Sequence, residues 1–346
     1  MKAVVICPGR GTYNKAELGY LGCHFPDAGL LARFDEQRQV AGQPLLTGLD
    51  GAERFSIATH TRGDNAAALI FASSLGDFLS IDRGTIDVVA VTGNSMGWYS
   101  ALSCAGALSP EFGFHVANTM GSLMHRALIG GQLIYPFVGE DWRPQPERRA
   151  QLLQLVQDLN TRSDRELHIS IELGGMLVLA GDEAGLSAFE KAVEPLQQRY
   201  PMRLANHAAF HTPMMAPVAA QGRDVLTAEL FGSPAIPLVD GRGAIWWPAA
   251  TDTAKLWQYT LDHQVVEPYD FSRAITVAAR EFAPDAFIIV GPGTTLGGAV
   301  AQSLVAANWQ GMRDKDGFKR AQAAAPLLIS MGMADQRLLA TGIGPR

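Results

Sequence analysis

The sequence predicts an α/β fold, on three observations. Short apolar runs alternate with stretches of helical periodicity along most of the 346 residues. A buried strand over 88–91 runs through Thr92-Gly93 into a helix over 97–105, a strand-turn-helix step. Between 132 and 206 the elements read β-α-β-β-α-β, the order of a ferredoxin-like unit.

Each element has a local reason. Residues 4–7 are apolar and β-branched, and they enter the glycine-rich turn Pro8-Gly9-Arg10-Gly11. Over 65–79, Ala67, Leu69, Ile70, Leu75, Phe78 and Leu79 make a broad apolar helical face. Gly106 caps the helix over 97–105. Residues 133–138 form a strand, and 146–159 a charged amphipathic helix. Residues 167–171 and 176–180 form a hairpin around Gly174-Gly175. A helix follows over 182–196 with Asp182 as its N-cap, then a short strand over 202–205. This smaller unit, 131–206, is inserted into a body made of 1–130 and 207–311. The body resumes near His207 and contributes a strand over 287–290 that closes on Gly291-Pro292-Gly293. Residues 312–346 are basic and alanine-rich with a glycine-proline end. They read as a peripheral helical extension with a frayed terminus.

Composition narrows the function. Apolar residues make up 47% and charged residues 18%, which is a folded globular chain. A net charge of −6 argues against nucleic acid as a partner. Cys7, Cys23 and Cys104 are odd in number and form no CxxC pair, so neither a disulfide framework nor a zinc site is expected. That usage fits a reducing, cytoplasmic setting. The first apolar run stops at Pro8 and reads as a buried strand rather than a signal peptide. No apolar run is long enough to span a bilayer, so no membrane partner is expected.

Gly93-Asn94-Ser95-Met96-Gly97 fits G-x-S-x-G between a strand and a helix, the context of a nucleophile elbow. Small residues flank the serine because the turn is sharp. The following helix aims its N-terminus at developing negative charge. Ser95 is therefore the candidate nucleophile. Its hydroxyl needs a base, and His211 is the first candidate, with His207 as the rival. Both lie where the chain re-enters the body. His24, His60, His115, His125, His168 and His263 read as core or surface histidines. The backbone N–H of Met96 is one candidate oxyanion donor. The turn Gly9-Arg10-Gly11 supplies a second, assigned to Arg10.

Taken in order, the motifs resemble one family. Pro8-Gly9-Arg10-Gly11-Thr12 is similar to P-G-Q-G-S, and Gly93 to Leu102 to G-H-S-L-G-E-Y-S-A-L. Phe210-His211-Thr212-Pro213-Met214-Met215 is similar to F-H-S-P-L-M, and Val290-Gly291-Pro292-Gly293 to a late V-G-P-G turn. The chain resembles, over about residues 3–305, the malonyl-CoA:acyl carrier protein transacylases, which include the acyltransferase domains of polyketide synthases. The resemblance implies an α/β-hydrolase-like large domain with an inserted ferredoxin-like subdomain. It implies a Ser95–His211 dyad whose histidine is oriented by a backbone carbonyl, with Gln264 at the matching position. It further implies ping-pong acyl transfer from a coenzyme A thioester to the phosphopantetheine arm of an acyl carrier protein. No metal or redox cofactor is implied, since coenzyme A enters as a substrate thioester.

Departures from the pattern bear on the substrate. Where the family's M-R-G-x-x-M carries a malonate-binding arginine, this chain reads Thr119-Met120-Gly121-Ser122-Leu123-Met124. A thioether cannot pair with a carboxylate. A neutral acyl group is therefore expected, in a pocket assigned to Met120, Met176 and Phe210. Arg126 lies six residues on, a poor helical spacing for replacing Met120. Arg10 stands in place of the family glutamine, and a cation there keeps malonyl transfer with a different carboxylate partner open. Asn94 replaces a histidine and Trp98 a glutamate, neither with a reason visible in the sequence. Alternatives are an acyl carrier protein thioester hydrolase of the same fold, a non-catalytic carrier-protein docking module, and an unrelated esterase. Carrier proteins are acidic, so two basic clusters are docking candidates: Arg143, Arg148 and Arg149, and Arg313, Lys315, Lys319 and Arg320.

Overall fold

A computed structural model describes residues 1–342. The last four residues of the glycine-proline end, for which a frayed terminus is expected, lie outside the described residues. In chain order the strands are β1 (Lys2–Cys7), β2 (Asp87–Gly93), β3 (Gly131–Pro136), β4 (Leu167–Leu173), β5 (Met176–Gly181), β6 (Met202–Arg203), β7 (Leu238–Val239), β8 (Ile245–Trp246), β9 (Tyr269–Asp270), β10 (Ala286–Ile289) and β11 (Leu328–Ser330).

Among the described residues these form two sheets. The larger runs β11-β10-β1-β2-β7-β8, parallel except for the β7–β8 hairpin. Side chains of β1 alternate between two apolar layers: Ala3, Val5 and Cys7 face one, Val4 and Ile6 the other. The first layer is filled by the helices Gly63–Leu79, Gly97–Cys104 and Pro110–Ala127, the second by Phe271–Phe282 and Gly297–Ala306. A mostly parallel sheet covered on both faces explains its continuous apolar strands. The helix Gly63–Leu79 is buried almost throughout, so its apolar residues form more than the one face that periodicity suggests. Register pairs Cys7 with Gly93. Both strands thus end at one edge, and the loop after β1 meets the turn after β2, where open α/β sheets place their sites.

The smaller sheet runs β6-β3-β5-β4, the 4-1-3-2 order of a ferredoxin-like unit, and β9 of the body adds to it parallel to β4. One face packs on the helices Pro146–Asn160 and Glu183–Ala192 through Leu133, Leu177, Leu179 and Phe189. The other face sends Ile134, Ile171 and Val178 into the body's second layer. The helix expected over 182–196 stops at Ala192, although Asp182 does cap it, accepting from the Gly185 N–H at 2.7 Å. Elsewhere boundaries move by a residue or two.

Residues 312–342 are not a peripheral extension. They contain the helices Lys315–Ala324 and Ala334–Thr341, and between these β11 pairs with β10 to form the edge of the main sheet. Arg337 also reaches into the body. Its guanidinium pairs with the fully buried Asp77 at 2.5 Å and donates to the Tyr20 hydroxyl at 2.9 Å. Asp77 in turn accepts from the Gly291 N–H at 2.7 Å, which ties down the Gly291-Pro292-Gly293 turn.

Candidate active site

The elbow geometry follows from its glycines. Ser95 sits at φ +56°, a strained left-handed conformation for a residue with a side chain. A Cβ on Gly93 would lie 2.3 Å from the Gly97 backbone, and one on Gly97 would lie 2.2 Å from the Cys7 carbonyl oxygen. No other residue fits either place, and that closeness is what turns the chain sharply enough to lift the serine. Gly106 at φ +79° ends the following helix, with its N–H on the Ser103 carbonyl and the Ala107 N–H on the Leu102 carbonyl, a Schellman cap.

The structure brings Ser95 and His211 together. Ser95 Oγ lies 2.7 Å from His211 Nε2, and His211 Nδ1 lies 2.6 Å from the Gln264 carbonyl oxygen. A carbonyl only accepts, so Nδ1 carries the ring proton and Nε2 presents its lone pair to the serine hydroxyl. His211 is buried and also at positive φ, and its N–H donates to the Val265 carbonyl. Burial pushes its pKa down to about 4, against the raising effect of the Gln264 carbonyl, so the imidazole is neutral near pH 7.

Gln264 is free to do this because the helix ends there. The helix Gln264–Val266 stops two residues later, and residue 268 is a proline, which has no N–H to claim the Gln264 carbonyl. Just before it, Tyr259–His263 is a π-helical turn, a form concentrated at functional sites. Trp98 explains what holds that turn. Fully buried, it donates from Nε1 to Thr260 Oγ1 at 3.0 Å and meets the Tyr259 ring edge-on. Tyr269 contacts the His211 ring and donates its hydroxyl proton to the Gly93 carbonyl at 2.5 Å. Sequence reasoning left Trp98 unexplained and missed Tyr269, Thr260 and the π-turn. Only Pro268, four residues after Gln264, carried a readable signal.

The rival, His207, lies elsewhere. Its Nδ1 lies 2.8 Å from Gln132 Oε1, and burial together with Arg10 lowers its pKa to about 3. Gln132 Nε2 donates to Ser170 Oγ, which donates to the Phe210 carbonyl at 2.8 Å. His207 thus belongs to a polar chain that seats the 207–211 segment on the insert.

The loop carrying Arg10 lies against the elbow, since a Cβ on Gly9 would fall 2.7 Å from the Asn94 carbonyl oxygen. The N–H groups of Met96 and Arg10 have no hydrogen-bond partner among the described residues. The Arg10 side chain turns toward the insert's return path. Its Nη2 donates to the Thr61 and Asn206 carbonyls at 3.0 Å each, and its guanidinium lies 5.5 Å over the Phe210 ring. Nε is buried without a partner, and burial lowers the pKa to about 10, so the group stays charged at neutral pH.

Met120 is fully buried in the first apolar layer, as is nearly all of Phe210. Met120 packs against Gly222 of the helix Ala216–Val225, where a Cβ would come within 2.7 Å of its sulfur. Met176 is not brought to them. It sits at the tip of the β4–β5 hairpin opposite Leu173 and packs against the second layer. A cavity of about 340 Å³ reaches His211 from the insert side. Leu153, Val156 and Ile169 line one wall, Pro213 and Pro268 the other. Among the described residues the two basic clusters touch only through Arg143, which pairs with Asp314 at 3.5 Å, beside Lys315 over the Trp142 ring, while Arg149 pairs with Glu172 of β4. Asp141 also pairs with Arg143, at 3.5 Å, so the surface is mixed rather than strongly basic.

Among the described residues no helix is long and apolar enough to cross a membrane. No family model matches the chain. A malonyl CoA-acyl carrier protein transacylase of Bacillus subtilis is 24% identical over 238 residues, covering 68% of this chain and 71% of that protein. A polyketide synthase of Mycobacterium marinum, Pks15/1, is 26% identical over 315 residues, covering 88% of this chain but 14% of the synthase. The crystal structure of an acyl-carrier-protein S-malonyltransferase from Burkholderia pseudomallei 1710b superposes with a TM-score of 0.75 over 99% of this chain and 100% of that one. At 18% identity that likeness is one of fold. The homologues of this chain are malonyl-CoA:acyl carrier protein transacylases and polyketide synthases, and the chain has the mixed α/β fold of the solved malonyltransferase.

Proposed function

We propose that the chain is a serine acyltransferase of the malonyl-CoA:acyl carrier protein transacylase type, serving fatty acid or polyketide synthesis. One observation carries this reading: the 2.7 Å contact between Ser95 Oγ and His211 Nε2, with Nδ1 held on the Gln264 carbonyl. His211 takes the hydroxyl proton as Ser95 attacks an acyl thioester. The tetrahedral oxyanion is met by the N–H groups of Met96 and Arg10 at the start of the helix Gly97–Cys104. Collapse breaks the C–S bond, and His211 returns its proton to the departing thiolate. The carrier-protein thiol then attacks acyl-Ser95, giving its proton to His211, which passes it to Ser95 Oγ as that oxygen leaves. Coenzyme A is the first thiol released and the acyl carrier protein is the acceptor. The single-turnover test is intact mass of the wild type and Ser95→Ala after exposure to an acyl-CoA.

The acyl group is neutral on this reading. Met120 supports it, because a buried thioether sits at the arginine position and the buried Phe210 adds apolar surface in the same layer. A lone carboxylate buried there would cost several kcal/mol, roughly, in desolvation. Met120→Arg is expected to shift Ser95 acylation toward malonyl-CoA and away from acetyl-CoA. An unchanged preference removes Met120 as the determinant.

A second reading is favoured by Arg10. Its guanidinium is largely buried over Phe210 and makes no ion pair with a carboxylate among the described residues. A malonyl carboxylate would supply that partner. Arg10→Gln then abolishes malonyl acylation while acetyl acylation persists. On the neutral reading both change together or not at all.

A further inference from the structure

The face of the helix Pro110–Ala127 opposite Met120 borders a polar cleft of about 350 Å³. Ser122, His125 and Arg126 form its floor, while Arg62 and Asp64 stand at the start of the helix Gly63–Leu79 on one side. Gln43 closes the other side, donating to Ser122 Oγ at 2.9 Å.

Positive charge outweighs negative around this cleft. Arg126 is exposed and makes no hydrogen bond or ion pair among the described residues. Arg62 spends Nε and Nη2 on Asp64, at 3.1 and 3.0 Å, leaving Nη1 free. Behind them Arg38 is fully buried and bonded only to uncharged acceptors: the Pro44 and Asp64 carbonyls and the side-chain oxygens of Asn118 and Asn65. Asp64 is the one carboxylate among the cleft residues. Burial pushes its pKa up, yet Arg62, His125 and Arg38 hold it below the usual carboxylate value. Finally, His125 Nδ1 is buried without a partner. A buried polar nitrogen with no partner, beside two guanidinium groups with free donors, is an incomplete set that an oxyanion would complete.

The cleft also adjoins the catalytic edge. Arg10, on the loop against the Ser95 elbow, donates to the carbonyl of Thr61, the residue before Arg62. Asn206, on the segment leading to His211, donates to Thr61 Oγ1 at 2.8 Å. Thr61, bonded by both, is the sequence neighbour of Arg62, which lines the cleft.

We propose that this cleft is a phosphate site that takes the phosphate ester of the pantetheine-bearing thioester. The proposal rests on the acyl-transfer reading for its ligand, though not for its chemistry: the non-bridging oxygens of a phosphate ester are anionic acceptors that guanidinium forks hold in bidentate fashion. Coenzyme A and a carrier-bound phosphopantetheine share this group.

The test compares donors that differ only in phosphate. Ser95 acylation is followed with acyl-CoA, acyl-phosphopantetheine and acyl-pantetheine, for the wild type and for Arg126→Glu, an exposed position where the fold tolerates the change. The proposal expects KM for acyl-CoA to rise about tenfold relative to acyl-pantetheine in the variant, equivalent to about 1.4 kcal/mol. If acyl-phosphopantetheine follows acyl-CoA, the pantetheine 4′-phosphate is the group held; if it follows acyl-pantetheine, the distal phosphates of coenzyme A are. An equal effect on all three donors, or none, overturns the proposal. A second arm separates it from the acyl-transfer reading. Inorganic pyrophosphate is titrated into the Ser95→Ala protein by calorimetry, with and without Arg126→Glu and His125→Leu. Binding that both substitutions weaken supports the site even if no thioester acylates Ser95, and binding indifferent to both removes it.

Discussion

Gln264 holds Ser95 as well as His211: its side-chain Nε2 donates to the Ser95 backbone carbonyl at 3.0 Å, while its own carbonyl accepts the His211 Nδ1 proton at 2.6 Å. Its Oε1 accepts from the Tyr99 hydroxyl at 3.3 Å, so the amide orientation is fixed. One residue thus sets the nucleophile's strained backbone against the base. Gln264→Glu keeps the shape and the backbone carbonyl but cannot donate from its side chain when ionised. We expect kcat for acylation to fall about tenfold, the loss of about 1–1.5 kcal/mol for one hydrogen bond, with KM unchanged. A change confined to KM would show that Gln264 acts on binding instead.

The pH dependence follows from His211. Its pKa of about 4 places the neutral, base-competent form in the majority from pH 5 upward. Acylation should rise through pH 4 and then stay level to neutrality. An acid limb near 6.5, the ordinary histidine value, would contradict this.

The same shift has a stability consequence of definite sign. The folded pKa lies below the unfolded one, so the unfolded chain binds the extra proton between about pH 4 and 6.5. Stability contributed by neutral His211 is full above about 6.5 and is lost as pH falls toward 4, on the order of 3 kcal/mol. Urea midpoints at pH 7 and 4.5 should differ less in His211→Gln than in the wild type. An equal pH response in the two proteins would exclude the shift.

The glycines of the elbow should be intolerant. Gly97→Ala places a Cβ 2.2 Å from one carbonyl oxygen and 2.7 Å from the next, those of Cys7 and Pro8. Backbone cannot swing away as a side-chain tip can, so we expect more than about 2 kcal/mol of destabilisation and loss of Ser95 acylation. A urea midpoint equal to the wild type would mean that the β1 and elbow backbones are less closely apposed.

Arg337→Ala removes one partner of a buried ion pair and leaves the Asp77 charge buried with only the neutral donors of Tyr20 and Gly291. About 3–5 kcal/mol should be lost, read from denaturant unfolding. Asp77→Asn combined with Arg337→Met should recover part of it, because no unpaired charge remains. A loss below about 1 kcal/mol for the single variant would show that the C-terminal helix is not anchored there.

Much of this molecule was legible in its residues, for identifiable reasons. Short, continuous apolar runs located β1, β2 and β10, since strands buried on both faces tolerate little else. G-x-S-x-G was readable because both glycines are dictated by contacts under 3 Å. The role of β11 was not, because three residues within an alanine-rich, basic tail carry no periodicity, and only pairing with β10 makes them a strand. Trp98 and Tyr269 were equally silent. Their parts depend on partners over 150 positions away, Thr260 for one and Gly93 for the other. Met176 failed for a related reason: chain direction after the hairpin carries it into the second layer, away from Met120.

Acyl-Ser95 formation from a panel of thioesters, followed by intact mass and peptide mapping, tests the central claim most directly. The prediction is a single adduct on Ser95, absent in Ser95→Ala, forming faster from acetyl-CoA or longer neutral acyl-CoAs than from malonyl-CoA and discharged by an acyl carrier protein thiol. No adduct from any donor, or one that persists in Ser95→Ala, would contradict the dyad. A malonyl adduct forming fastest would contradict the neutral acyl group.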